Sequence, residues 1–515
     1  MKRHRGFGAV LLSAVITLGS TRAFANQRSR LGRNLQLAIE DVRRGNFSAS
    51  SYRFFELSLD PRYANRRIQM RYLLGLMFYD MRMYQLAAFQ FINVIRDGNN
   101  PFVSKSLEKL SLAADKLGDD TLLNYAISRI KVENFPRAHR DMLYFRIGEF
   151  QLHNQQYDNA IKSLLQVPDN SPLFDKALYL TALSYAEENQ PVTAAKYFQE
   201  LIDRRSNAPA TDTTRAAAIM GKARSLYQNK NWKAAIQEYR KVPRDSKYWA
   251  EMLFESSWAM FRSGRFREAM SNFQTLHSPY FENSYIPESL LLRSIVYLYL
   301  CKYSEMEKTL NLFDRIYQPV YNIMNNYLNN VMSNDQYFTD VVYTMIAANK
   351  KGFNPAKAQL PIPYLVVRKI VKEGDFHRSL SYIKKLIIER RRVLSMPPYW
   401  RNGAIGRYAI LTLNLRLSRA REEAGQQVRN HMLEIRADLI SLFEQEGFIR
   451  YEMLNSKKQY LKKKIAGKLL PAKQINQNVP RDFYIQNGYQ YWPFRGEYWL
   501  DELGDYFYLG TSSCD

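Results

Sequence analysis

Tyr157–Ser171 reads YDNAIKSLLQVPDNS, and 75 residues later Trp232–Ser246 reads WKAAIQEYRKVPRDS. The shared skeleton is Ala160-Ile161, Val167-Pro168 and Ser171 against Ala235-Ile236, Val242-Pro243 and Ser246. An aromatic opens each copy, a small residue stands three positions on, and a large apolar residue seven positions on. Steps of three and seven stay on one face of a helix, so each copy begins as an amphipathic helix. The pattern extends outward in both directions. Openers occur at Phe47, Tyr84, Tyr157, Trp232, Phe266 and Tyr303. The small residues are Ser50, Ala87, Ala160, Ala235 and Ala269, and the large ones Phe54, Phe91, Leu164, Tyr239, Phe273 and Leu310. Pro191–Leu201 holds a further copy with Ala194 and Phe198, and residues 121–130 a degenerate one. A period in this range marks a helical hairpin that buries its apolar face only by stacking on its neighbours. The fold class expected is therefore all-α.

This repeat resembles the tetratricopeptide repeat, whose period is about 34 residues, with a small residue in helix A and an alanine and an aromatic in helix B. Gly75 and Gly148 stand where the family has its helix-A glycine, and Ala182 and Ala223 take that place in later copies. Two features depart from the family: the early tryptophan is missing, and a closing proline is clear only at Pro172. The likeness covers roughly residues 35–315, within an array drawn as 26–315, with one further unit at Phe376–Ile383. It implies a superhelical solenoid whose inner wall is built by the A helices. The inward positions it implies are Tyr72, Tyr79, Phe145, Tyr179, Arg224, Tyr227, Phe254, Trp258, Phe261, Arg262 and Tyr299, with Glu149 and His153 among them. Rings with a few arginines suit an extended or helical peptide. The competing reading is that an aromatic stripe at helical spacing is core.

Beyond residue 315 the pattern changes. Residues 316–403 carry further hairpins broken by Gly352, Pro355, Pro361 and Pro363, and again by Pro397-Pro398. Residues 404–467 hold apolar side chains at steps of three and four from Leu413 to Met453, an amphipathic helix that is either continuous or interrupted near Gly425 or Gly447. Such a segment either packs back on the array or pairs with another chain. Residues 468–515 form an acidic tail dense in rings, with Trp492, Phe494 and Trp499 as expected docking residues. Its core, Trp492 to Leu503, is similar to the endings of tetratricopeptide proteins from predatory and gliding deltaproteobacteria. That likeness implies motility or envelope machinery.

The N-terminus reads as an export signal in residues 1–25: a basic Met1-Lys2-Arg3-His4-Arg5, an apolar Gly8–Leu18 and an Ala23-Phe24-Ala25 cleavage site. The expected location is periplasmic, soluble or peripherally bound to the envelope. Removing the leader lowers the formal charge from +25 to +21. Residues 361–480 hold 24 Lys/Arg against 10 Asp/Glu, whereas the last 35 residues hold 2 against 6. Export argues against nucleic acid, so the clusters Arg390-Arg391-Arg392 and Lys462-Lys463-Lys464 suit an anionic membrane or wall surface, or are a solvated face. Near a charged membrane each basic residue contributes about 1 kcal/mol. Of the two cysteines, Cys301 and Cys514, either a disulfide or a buried thiol and a free one are compatible with the spacing.

Chemistry leaves little trace. The six histidines are scattered, with no HExxH and no cysteine partner, so no metal site is expected. Gly221-Lys222 lacks the upstream glycine of a phosphate loop, and alanine follows the lysine. No cofactor and no catalysis are expected. The reading is a scaffold for protein partners in an envelope assembly serving motility, secretion or outer-membrane biogenesis. The alternative is a protein that binds the peptidoglycan wall or assists a wall-processing enzyme.

Overall fold

The computed structural model describes residues 30–98, 100–119, 121–127, 140–209, 211–355, 357–465 and 496–508. The leader, Trp492, Phe494 and Cys514 lie outside the described residues. Twenty-one α-helices and no strand occur among those described. In chain order they are α1 (Arg30–Arg43), α2 (Phe47–Leu59), α3 (Arg67–Asp80), α4 (Tyr84–Arg96), α5 (Val103–Leu117), α6 (Thr121–Ile127) and α7 (Arg140–His153). Next come α8 (Tyr157–Leu164), α9 (Phe174–Glu187), α10 (Pro191–Arg204), α11 (Thr213–Gln228), α12 (Trp232–Tyr239), α13 (Trp249–Arg262) and α14 (Phe266–Leu276). The remainder are α15 (Glu288–Tyr299), α16 (Tyr303–Asn330), α17 (Asn334–Ala348), α18 (Tyr364–Lys372), α19 (Gly374–Leu394), α20 (Pro398–Arg401) and α21 (Ala404–Ile465). The fold class is all-α, a tetratricopeptide-like run of hairpins.

Every opening aromatic begins its second helix, and the reason lies two residues earlier. Gly45, Arg82, Gln155, Asn189, Lys230, Gly264 and Cys301 all take a left-handed φ, between 55° and 73°. The residue after each donates its N–H to the carbonyl five positions back, for example Met83 to Phe78 at 2.8 Å and Asn231 to Leu226 at 2.9 Å. This is the Schellman closure, which satisfies the last carbonyls of helix A and turns the chain sharply into helix B. A ring five positions before the opener then packs against it across the turn. Tyr79 meets Tyr84 at 5.2 Å, Tyr227 meets Trp232 at 4.7 Å, and Phe261 meets Phe266 at 5.8 Å between centroids.

Small residues let the two helices close. A Cβ on Gly75 would lie 2.7 Å from the Phe91 ring, and one on Gly148 would lie 2.5 Å from Leu164 Cγ. Phe91 and Leu164 are the apolar residues seven positions after their openers, so the glycine and the large side chain are matched partners. Ala87, Ala160, Ala194, Ala235 and Ala269 are wholly buried, as are Ala182 and Ala223. Ser50, in the alanine place, is buried too and donates to the Ala38 carbonyl at 3.0 Å.

The chain divides into two compact units, the first formed by Met1–Arg146 with Gly374–Gly425 and the second by Ile147–Glu373 with Gln426–Asp515. In the first, Phe376, Leu386, Val393 and Trp400 are buried, and the Trp400 indole donates to the Ser51 hydroxyl at 3.0 Å. The Glu389 carboxylate accepts the backbone N–H groups of Gln85 and Leu86 at 2.9 and 3.0 Å, capping the start of α4. In the second unit, Met432, Ile435 and Leu439 are buried. Phe443 packs on Phe313 at 5.4 Å, and Arg450 reaches Asp314 at 2.7 Å. Helix α21 runs uninterrupted for 62 residues past both Gly425 and Gly447, and its apolar stripe packs back within the units. None of the described helices is long and apolar enough to cross a membrane.

Candidate binding site

The second unit contains a cavity of 690 Å³. Arg224 of α11 and Glu251, Phe254 and Glu255 of α13 form one side of it, and residues 283–288 another. Arg368, Lys369 and Lys372 of α18 and Asp438 and Leu442 of α21 complete it. It is thus built from the A helices of two successive hairpins and from segments that lie far along the chain. Its volume falls in the range of sites that bind drug-sized or short peptide ligands.

One charge pair is fixed. Arg224 grips Glu255 with two parallel bonds of 2.9 and 2.7 Å, and the Tyr239 hydroxyl donates to the same carboxylate at 3.0 Å. The side-on fork holds Arg224 rigidly and neutralises Glu255. The Glu255 hydrogen bond and charge hold the Arg224 pKa above its ordinary value, and burial and Glu255 do the same for Tyr239. Glu251 is less well served, at 3.8 Å from Arg224. Burial raises its pKa, the neighbouring Glu255 adds to that, and Arg224, Lys372 and Lys369 only partly oppose it. Burial likewise raises Glu288, helped by Asp438. Lys372 is lowered by burial and by Arg368 beside it. Acids and bases are interspersed around the cavity: Lys247, Arg368, Lys369 and Asp438 are exposed, and Lys369 pairs with Glu373 at 3.0 Å.

The residues read as an inner wall are distributed in four ways. Tyr72 is 1 % exposed and packs between Phe91 and Phe102, and Phe145 is 4 % exposed. Both are core, which corrects the expectation that they face a partner, and Tyr72 turns toward Phe102 at the start of the next hairpin. Tyr79, Tyr227 and Phe261 belong to the ring pairs across hairpin turns. Trp258, Phe261, Phe266 and Tyr299 form one aromatic cluster, with Arg262 over the Trp258 ring at 5.8 Å and Tyr299 57 % exposed. Only Arg224 and Phe254 line the cavity, and Tyr179, half-buried against Phe198, lies close enough to Arg224 to feel its charge. Glu251, Glu288, Lys372 and Asp438 were not singled out in the sequence. The only local signal was the pair Glu251 and Glu255, one turn apart on the helix after Arg224.

The tail touches the second unit elsewhere. Gly504 donates its N–H to Thr275 at 2.9 Å, Tyr508 to Ser271 at 3.0 Å, and Gln274 donates to the Tyr498 hydroxyl at 3.2 Å. Asp505 takes two bonds from Arg244, at 2.7 and 2.8 Å. Gly504 has a left-handed φ, and a Cβ there would approach Trp249 to 3.1 Å. The described tail therefore docks in cis along α14. Its buried anchor is Leu503, 2 % exposed, whereas Trp499 is 55 % exposed; the expectation for Trp499 is corrected accordingly. Of the basic surface, Arg390, Arg391, Lys462 and Lys463 are exposed, and Arg392 donates to the Arg82 carbonyl at 2.7 Å. The side chain of Lys464 lies outside the described residues. Cys301 is engaged in a disulfide.

Comparison with known proteins agrees with the repeat reading. The family model described as "Tetratricopeptide repeat" matches residues 145–209. No curated protein matches the chain. Among solved structures, it is similar to the C-terminal part of a TPR repeat-containing protein from Cytophaga hutchinsonii, at 17 % identity and a TM-score of 0.33, covering 47 % of this chain and 93 % of that one. It is also similar to a tetratricopeptide repeat protein from Parabacteroides merdae, at 12 % identity and a TM-score of 0.24, covering 56 % and 93 %. Residues 145–209, which hold α8, α9 and α10 and most of α7, thus match the tetratricopeptide repeat as a family, on the hairpins that lead into the wall of the cavity.

Proposed function

We propose that the chain is a non-enzymatic scaffold that binds protein partners through the A-helix side of its second unit, within an assembly of the cell envelope. The observation that carries this reading is the cavity on α11 and α13, with Arg224 locked by Glu255 and the half-buried Phe254 ring in the same wall. Stacked helical repeats commonly present such surfaces to peptides. A rigid arginine next to aromatic side chains gives orientation and contact area at small entropic cost. Export to the periplasm rests on the leader and its Ala23-Phe24-Ala25 site. Motility, secretion and outer-membrane biogenesis are the envelope processes proposed, the first suggested by the tail core from Trp492 to Leu503.

The exposed Arg390, Arg391, Lys462 and Lys463 favour a second reading, in which the protein adheres to the anionic cell wall. One pair of experiments separates the two. Capture of the mature protein from solubilised envelopes should return defined protein partners, and loss of them on Arg224→Ala would tie them to this site. Sedimentation with purified sacculi that weakens as salt rises, without any protein partner, would replace the scaffold by the wall reading.

A further inference from the structure

Helix α21 is apolar on two faces, and the second unit covers one of them. Met432, Ile435, Leu439, Leu442 and Met453 are buried. On the other side, Ile440, Leu454 and Leu461 recur at multiples of seven residues, with Gly447 completing the series. Tyr451 falls between Gly447 and Leu454, and Phe448 lies beside it. All of these residues are exposed, Phe448, Tyr451 and Leu454 by 73, 63 and 61 %. Apolar side chains scattered singly over a surface need no explanation, but a stripe held over three heptads does. Alternating steps of four and three, from Gly447 through Tyr451, Leu454 and Lys458 to Leu461, are those of a coiled-coil seam.

The charges along the stripe identify what fits it. Among residues 434–452 every exposed charge is acidic, and among residues 457–463 every one is basic. The two arginines of the acidic half, Arg436 and Arg450, turn to the docked side and bond to Asn325 and Asp314. Within the stripe the charges are Glu444 toward one end and Lys458 and Lys462 toward the other. A uniformly anionic surface would attract one half of this face and repel the other. A second copy laid parallel and in register would set like charge over like. Laid antiparallel, with the two-fold axis at Tyr451, it sets Glu444 of each chain against Lys458 of the other, and Phe448 against Leu454.

We propose that the chain forms a two-fold dimer through this stripe of α21, the two helices running antiparallel. The apolar side chains supply the attraction, and the opposed acidic and basic halves fix direction and register. The inference goes beyond the scaffold reading and does not depend on it. A dimer built this way carries two copies of the Arg224 cavity, so a partner that displays its binding segment repeatedly is held by both at once.

The test is sedimentation velocity of the whole chain over a concentration series, in which the mass should move from one chain to two. Phe448→Ser with Leu454→Ser should weaken the dimer by about ten-fold or more, and both side chains are exposed, so the fold should be kept. Glu444→Lys and Lys458→Glu should each weaken it by roughly three-fold or more, and the two swaps in one chain should restore it. Glu444 and Lys458 stand fourteen residues apart on one helix, about 21 Å, so they cannot compensate within a chain. Recovery must therefore come from the antiparallel pairing. Helical circular dichroism and the melting curve of each variant establish that it is folded. A monomer at every concentration would overturn the proposal, and one that sediments with anionic lipid vesicles would assign the stripe to a lipid surface instead. A dimer that survives the double Ser variant would place the contact elsewhere, and a paired swap that restores nothing would rule out the antiparallel register; either result overturns the proposal. None of these outcomes bears on partner capture through Arg224, so the two readings fail separately.

Discussion

At the scale of single residues, the hairpin turns carry a conformational cost that the sequence conceals. Five of the seven left-handed turn positions are not glycine, and for an L-residue that conformation costs about 1–2 kcal/mol. Lys230→Gly should therefore stabilise the second unit by roughly 1 kcal/mol, because its side chain is exposed and its φ is 59°. Asn189→Gly should change it by much less, since asparagine tolerates this region. Denaturant midpoints of the two variants against the parent decide it, and equal gains would contradict the turn argument. Gly75→Ala tests packing in the opposite direction. The new methyl meets the Phe91 ring, which is boxed in by Tyr72, so a loss of about 1–3 kcal/mol is expected. These two cases show why part of the fold was legible. Gly75 and Phe91 sit at repeat positions with the residue types that close helix packing requires, so pattern alone located them. Arg82, Gln155 and Lys230 have nothing in common as residue types, so the shared turn they build was visible only as the spacing of the aromatics after it.

At the scale of elements, α21 and the tail were legible in pattern but not in destination. The steps from Leu413 to Met453 identified an amphipathic helix but left open what covers it, and the structure buries that stripe within the units. Gly425 and Gly447 looked like breaks, yet helical propensity is a weak prior that packing on either side overrides. Gly447 is exposed with open space around its Cβ position, so Gly447→Ala should raise stability by about 0.5–1 kcal/mol. The tail shows the limit of reading by charge. The salt bridge that this acidic tail makes is to Arg244, and both partners are more than half exposed. Such a pair contributes at most about 1 kcal/mol. The buried Leu503 side chain is the stronger attachment. Leu503→Ala should loosen residues 496–508, read as faster hydrogen exchange at Gly504 and Tyr508, whereas Asp505→Asn should alter exchange there only slightly. The reverse ranking would assign the docking to charge. The candidate site was the least legible part, because its lining residues are spread from Arg224 to Gln445 and no local window contains the constellation.

At the scale of the whole molecule, Glu389 in the first unit and His277 in the second are shifted by burial, and the two respond to pH with opposite sign. In the first unit, burial pushes Glu389 from the ordinary value of 4.5 up to about 7, although the N–H groups of Gln85 and Leu86 oppose the shift. The folded unit thus holds a proton that the unfolded chain gives up, so this contribution is complete below 4.5 and is lost as pH rises through about 7. In the second unit, His277 is enclosed by Ser289 at 2.9 Å and Arg293 at 3.0 Å, and burial followed by the Arg293 charge lowers its pKa well below 6.5. The unfolded chain binds a proton there that the folded unit refuses, so its contribution is present above 6.5 and is lost as pH falls below it. Native-state hydrogen exchange in denaturant, followed separately for α4 and for α14, should then show α4 opening more readily as pH rises and α14 as pH falls. After correction for the intrinsic pH dependence of exchange, Glu389→Gln should remove the slope at α4 alone, because an amide cannot titrate. A slope at α4 that survives that substitution would mean that other groups set the pH response of the first unit. One that moved at α14 instead would mean that the two units do not open independently.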